Sequence, residues 1–245
     1  MLDLILQNRS ALDLLLLFIA VVAMPLFSTF AGRQLAKQTP QARRLIPRYW
    51  QTFVRGWIVV LIVAAVWHRL GRPFSELGLA PQLVTWDLAG LGAIALGALI
   101  LFVQLFRLKS LPPERLERTM KALESMKVTP STRGELAVFV LVAITAGIWE
   151  ELLYRGFLIW YLAPLTGIGG AIVLSSLVFG IGHIYQGPAG VVRTGIIGLG
   201  FAIFYVLSGT LWWLMAAHAM MDIYGGFAAR RVKQLAARQG AAGTS

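Results

Sequence analysis

The run Trp149-Glu150-Glu151-Leu152-Leu153-Tyr154-Arg155 sets two carboxylates and an arginine inside an apolar stretch. Ionised side chains are costly in a bilayer and mark functional sites by default. His183 and His218 lie in two further apolar segments, the second with Asp222 four residues on. Carboxylates and histidines together accept and donate protons. Such a set suggests a buried reaction site, or a relay of protons across a membrane. On a helix Glu151 and Arg155, four apart, share a face and can pair. Glu150 points about 100° away. The two glutamates are therefore expected to have different jobs, Glu151 structural and Glu150 reactive.

The elements that must position these residues are membrane spans. Of the 245 residues 58% are hydrophobic and 13% charged, too few charges for a soluble domain of this size. The expected fold is all-α, a polytopic transmembrane helical bundle of about seven spans forming a single membrane domain over 1–245. A span needs about 20 mainly apolar residues. Leu12–Ala31, Thr52–Trp67, Trp86–Phe106, Glu135–Leu162, Gly169–Ile184, Val191–Leu207 and Thr210–Ala228 are the segments expected to cross. Within the domain, 1–134 holds the variable N-terminal spans and 135–228 the reactive core. A basic tail occupies 229–245, expected to be disordered after Arg238. Pro112-Pro113-Glu114 opens a polar stretch in which Leu116, Met120, Leu123 and Met126 recur at helical spacing. An amphipathic helix over about 112–127 is expected, on the membrane surface or as a solvated loop helix. Asp3 and Asp13 flank the start of the first apolar run and its basic residues follow it, so no cleavable signal is expected.

The net charge of +11 needs no nucleic acid to explain it. Arg33 to Arg48, Arg107 to Arg133 and Arg230 to Arg238 hold basic clusters after spans one, three and seven. Seven spans put all three on one side, expected to be the cytoplasmic face of the plasma membrane, with the C-terminus there too. The absence of cysteine excludes disulfides, thiolate metal sites and cysteine nucleophiles. Spans four and five should form a hairpin near Thr166. Glu150 lies sixteen residues before that turn and His183 seventeen after it, both roughly 25 Å from it at 1.5 Å per residue. His218 lies nine residues past Gly209 and matches this depth only if the seventh helix tilts or its turn is sunken. Gly180, Gly182, Gly195, Gly198 and Gly200 are expected at close helix approaches. Trp149, Trp160, Trp212 and Trp213 are expected as interface anchors or packing. Each polar feature alone has a bland reading: a helix-locking ion pair, or interhelical glue. Their joint occurrence on three spans, two at matching depth, favours a reaction site.

These residues resemble the type II CAAX prenyl endopeptidase and bacteriocin-processing membrane proteins, also called CPBP or Abi. Glu-Glu-x-x-x-Arg is matched by Glu150, Glu151 and Arg155, Phe-x-x-x-His by Phe179 and His183, and His-x-x-x-Asn/Asp by His218 and Asp222. The resemblance covers roughly Glu135 to Gly226. It implies an intramembrane endopeptidase acting on membrane-associated proteins or peptides, by CAAX-type or propeptide processing. It implies Glu150 as the base that activates water, and His183 as the group that holds and polarises that water. His218 and Asp222 would stabilise the oxyanion, and Glu151 with Arg155 would order the site. Asp222 stands where the prenyl-protease branch usually has Asn. It would instead fix the His218 tautomer or favour its charged form. No cofactor is favoured, although Glu150, His183 and His218 could make a zinc set with an open position. The expected partners are membrane lipid and a membrane-associated protein or peptide substrate, with no nucleic acid. A non-proteolytic scaffold keeping the fold and a proton-coupled transporter are the competing functions.

Overall fold

The computed structural model describes residues 9–38, 44–80 and 85–242, and every regular element among them is helical. Asp3, Arg43 and the last three residues of the tail fall outside the described residues. Helix α1 (Ala11–Ala36) and α2 (Leu45–Arg69) are followed by a 3-10 turn at Phe74–Leu77, α3 (Thr85–Arg107) and α4 (Pro113–Met126). The second half is α5 (Arg133–Glu150), a nine-residue π-helical segment (Glu151–Ile159), α6 (Trp160–Gly182), α7 (Pro188–Ser208) and α8 (Trp212–Ala242).

Five helical stretches are long and apolar enough to cross a membrane: Ala11–Ala36, Leu45–Arg69, Gly92–Ser110, Arg133–Gly182 and Pro188–Ser208. The fourth is 50 residues long and contains the fourth expected segment and all but the last two residues of the fifth. Gly167 (φ 73°, ψ 165°) breaks its helical path. A side chain is disfavoured at such a φ, so glycine fits the turn. The seventh expected segment lies on α8, which is not among the five. Polar His218 and Asp222 and the basic Arg230-Arg231-Val232-Lys233 run dilute its apolar character. That helix also runs to Ala242, so the disorder expected after Arg238 is replaced by helix up to that point.

The core is a contiguous cluster including Leu16, Val63, Trp67, Leu77, Trp149, Leu153, Phe157, Phe179, Leu211 and Met215. α5 packs between α2 and α8, and α6 packs on α7. Bulky apolar side chains such as Leu61, Ile196 and Leu207 are more than 60% exposed, which suits lipid rather than water.

Tertiary bonds gather the basic clusters at one end. The Tyr49 hydroxyl donates to the Val128 carbonyl at 2.6 Å. Lys233 Nζ donates to the Thr129 carbonyl at 2.7 Å and the Ser131 hydroxyl at 2.9 Å. The start of α2, the 127–132 linker and the far half of α8 therefore meet. One face of α4 turns to the bundle while Glu114, Glu117, Arg118 and Lys121 are exposed. Leu116 is 3% exposed and the helix contacts α8 and the turn at Ile184–Gln186. Its apolar face is spent on the bundle itself.

Candidate active site

Glu150 ends α5 and Glu151 opens the π-helical segment, all nine residues of which are buried. π-Helical turns are rare and concentrate at functional sites. The Ser175 hydroxyl of α6 donates to the Tyr154 carbonyl at 2.7 Å, tying the hairpin arms together at this level. His183 is the residue on which α6 ends, with φ −102° and ψ 19°.

His218 reaches the same level because the turn before α8 is sunken. Ser208, Thr210 and Leu211 are buried, and Leu211 N–H donates to the Gly78 carbonyl at 2.9 Å. α8 then crosses α5 at Gly147, where a Cβ would lie 2.6 Å from the Met215 carbonyl oxygen and 3.0 Å from Ala219 N. His218 sits between those two residues in sequence, one turn from Glu150.

Arg155 Nη1 donates to Glu151 Oε1 at 3.0 Å and Nη2 to the Gly198 carbonyl at 3.2 Å. The guanidinium lies 4.1 Å from the centre of the Phe179 ring, a cation–π contact. A Cβ at Gly198 would come within 2.9 Å of Phe179 and 3.2 Å of Arg155 Nη2, so the close approach of α7 needs glycine. Gly180 likewise faces the Val191 carbonyl and Gly195, whereas Gly200 has nothing within 4 Å and makes no close approach. Of the tryptophans, Trp149 is buried, Trp160 packs on Trp67, and Trp212 is half-exposed at the start of α8.

Glu151 does more than hold Arg155. His218 Nδ1 lies 2.7 Å from the same Oε1. A carboxylate paired with arginine accepts, so Nδ1 carries the proton, an assignment that follows from the partner. His183 Nδ1 lies 2.9 Å from the Phe179 carbonyl, which can only accept, so it too is protonated there. Both Nε2 atoms are thereby turned to Glu150 Oε2, at 3.8 Å from His183 and 3.9 Å from His218. Glu150 Oε2 is buried without a hydrogen-bond partner. Asp222 Oδ2 lies 3.7 Å from His218 Nε2, with its side chain 44% exposed. It is thus Glu151, not Asp222, that hydrogen-bonds the far ring nitrogen of His218. No group of three His, Asp or Glu side chains among the described residues forms a metal-ligand set, and Glu150, His183 and His218 do not make one in this geometry.

A cavity of about 660 Å³ runs from this cluster to the basic end. It is lined by all seven motif residues and, unanticipated from the sequence, by Arg55, Tyr154, Tyr185 and Arg193. Arg55 and Arg193 carried a readable signal, since each is the lone charged residue of its expected span. Leu123 and Met126 of α4 also line it.

Residues 132–224 match the family model described as type II CAAX prenyl endopeptidase Rce1-like, close to the 135–226 stretch that carries the motifs. No curated protein and no solved structure matches the chain. The matched segment contains both glutamates, both histidines, Arg155 and Asp222, so the motif-bearing part of the chain is similar to the type II CAAX prenyl endopeptidases.

Proposed function

We infer that this chain hydrolyses peptide bonds of membrane-associated proteins or peptides, with Glu150 as general base. The observation that carries the reading is the convergence of both His Nε2 atoms on an otherwise unpartnered Glu150 oxygen. Separations near 3.8 Å are too long for direct hydrogen bonds and suit a water held between the groups. Glu150 takes a proton from that water as its oxygen attacks the scissile carbonyl carbon. The imidazole of His183, protonated on Nδ1, offers its Nε2 lone pair to orient the water. Protonated His218 donates from Nε2 to the developing oxyanion, with Nδ1–H anchored on Glu151 and Asp222 beside the donor. The amide nitrogen then leaves with the proton that Glu150 carries, giving a new carboxylate and an amine. Preorganised donors in a dry site supply the larger share of such catalysis. In this reading Arg155 fixes Glu151, which fixes His218. The basic end faces the cytoplasm of the plasma membrane, and the cavity opens toward it.

The test is terminal-peptide mass spectrometry of membranes holding the native protein or Glu150→Gln at equal levels. New C-termini or released peptides found only with the native protein support the protease and name its substrates. Identical peptide sets, with a purified prenylated peptide also left intact, would move the assignment to a scaffold or transporter.

A further inference from the structure

One cation in the cavity has no part in the chemistry above. Arg55 lies on α2, inside a stretch apolar enough to span the membrane. Its neighbour Gly56 faces Trp149, where a Cβ would lie 2.6 Å from the indole. Arg55 precedes Gly56 and Glu150 follows Trp149, so on these packed helices the two stand within about one helical turn of each other in depth. The guanidinium donates to the Thr52 hydroxyl at 3.4 Å and lies 5.6 Å from the Phe27 ring. Among the described residues it forms no ion pair, whereas Arg155 and Arg72 each have one. Glu150 is the carboxylate that acts on it electrostatically, without a direct ion pair, and an arginine at membrane depth that is not directly paired faces the bundle interior or a water-filled cavity.

The cavity holds four arginines (Arg48, Arg55, Arg155 and Arg193) against three carboxylates (Glu150, Glu151 and Asp222). Arg155 is committed to Glu151, and Arg193 donates to the Gln186 side chain at 3.0 Å near the exposed start of α7. Arg48 lies seven residues before Arg55, about two turns nearer the basic end. Arg55 is thus the uncommitted cation at the depth of the reacting groups. The volume of about 660 Å³ lies within the usual range for ligands of drug size. It accommodates a few peptide residues, not a folded chain. A peptide that ends inside such a cavity places its terminal carboxylate among these arginines. Three extended residues cover about 10 Å, the spacing of packed helix axes.

We propose that Arg55 binds the terminal carboxylate of the substrate, so that the enzyme measures the cut from the chain end. Resting on the protease reading above, this assigns specificity for a free C-terminus to a residue outside the 132–224 segment. A guanidinium presents two parallel N–H donors that match a carboxylate. The scissile bond is then fixed by the few residues that separate Arg55 from Glu150.

The experiment uses the full chain in nanodiscs and one fluorescent S-farnesyl peptide ending in a CAAX sequence, made as the free acid and as the C-terminal amide. Affinity is measured on Glu150→Gln and on Glu150→Gln with Arg55→Gln, and cleavage on the native protein, Arg55→Gln and Arg55→Lys. The acid should bind Glu150→Gln at least about tenfold more tightly than the amide, the scale of one charge-assisted hydrogen bond. Adding Arg55→Gln should erase that preference. In cleavage, Arg55→Gln should raise KM for the acid by a similar factor and leave the amide unchanged, with Arg55→Lys in between. Equal binding of acid and amide to Glu150→Gln, or a preference that survives Arg55→Gln, overturns the proposal. Failure of the protease reading looks different: no peptide is cut by the native protein, whatever the binding preference.

Discussion

Two buried acid–arginine pairs lie at different levels of the bundle and are built on different terms. Near the start of α1, Asp13 meets Arg72 through two bonds of 2.6 and 2.8 Å. The second oxygen of Asp13 also accepts from Ser10 N–H at 2.9 Å, closing a capping box. Arg72 is flanked by the rings of Trp67 and Trp160, at 5.0 and 4.6 Å. Both Asp13 oxygens are used. In the middle of the bundle, Glu151 and Arg155 are more deeply buried, yet Glu151 Oε2, Arg155 Nε and Glu150 Oε2 have no hydrogen-bond partner in the protein. Each unsatisfied buried group costs about 1–3 kcal/mol. A purely structural pair would be expected to lose them. The difference marks the first cluster as a clamp and the second as a site that holds capacity open for a ligand.

The largest expected effect sharpens this contrast at its reactive end. Glu150→Gln keeps the size of the side chain and removes the proposed base. Cleavage per folded molecule should fall about 10²- to 10⁴-fold, while the thermal midpoint stays near that of the native protein. A large drop in midpoint would make Glu150 structural. Next comes Glu151→Gln, which strands Arg155 in a site where it is 1% exposed. Breaking such a pair costs about 3–5 kcal/mol, read as lost folded yield and a lower unfolding midpoint. Activity should fall as well, because His218 loses the acceptor that orients it. Replacing both partners, Glu151→Leu with Arg155→Met, should recover much of the stability and none of the activity. Recovery of both would reduce the pair to a helix lock.

Much of this site could be read from residue types and spacing. Glu150 and His183 fall at nearly equal counts from the turn, sixteen and seventeen, and such counts on two arms of a hairpin mean similar depth. What could not be read depends on contacts between distant segments. The sunken turn before α8 exists because Leu211 N–H reaches the Gly78 carbonyl, and no local signal near Gly209 encodes that. The π winding after Glu150 is hidden because every face of the segment is buried, so hydrophobic periodicity reports no winding there. The bond from His218 to Glu151 follows from both. With Asp222 four residues away on the same helix, local spacing favoured the nearer acid. α4 was legible as a helix over about 112–127, but an amphipathic pattern states that one face is covered and leaves open by what.

The clamp offers the smaller effects, and they should be separable from catalysis. Asp13→Asn removes the charge opposite Arg72, whose side chain is 12% exposed and keeps some access to solvent. The cost should be about 2–3 kcal/mol, below that of the fully buried pair. Cleavage per folded molecule should be unchanged, since none of these residues lines the cavity. The mildest change is Trp160→Phe. Trp160 Nε1 donates to Glu76 Oε2 at 3.1 Å, and the indole forms one wall of the Arg72 sandwich. Phenylalanine keeps an aromatic face and loses the donor, so the loss should be near 1 kcal/mol, that of one hydrogen bond. In the Asp13→Asn background the Trp160→Phe effect should shrink, because the ring then flanks an arginine no longer held by its acid. Additive effects in that double-mutant cycle would mean that the aromatic walls and the ion pair stabilise the end of α1 independently. A coupling of about 0.5 kcal/mol or more would make them one clamp.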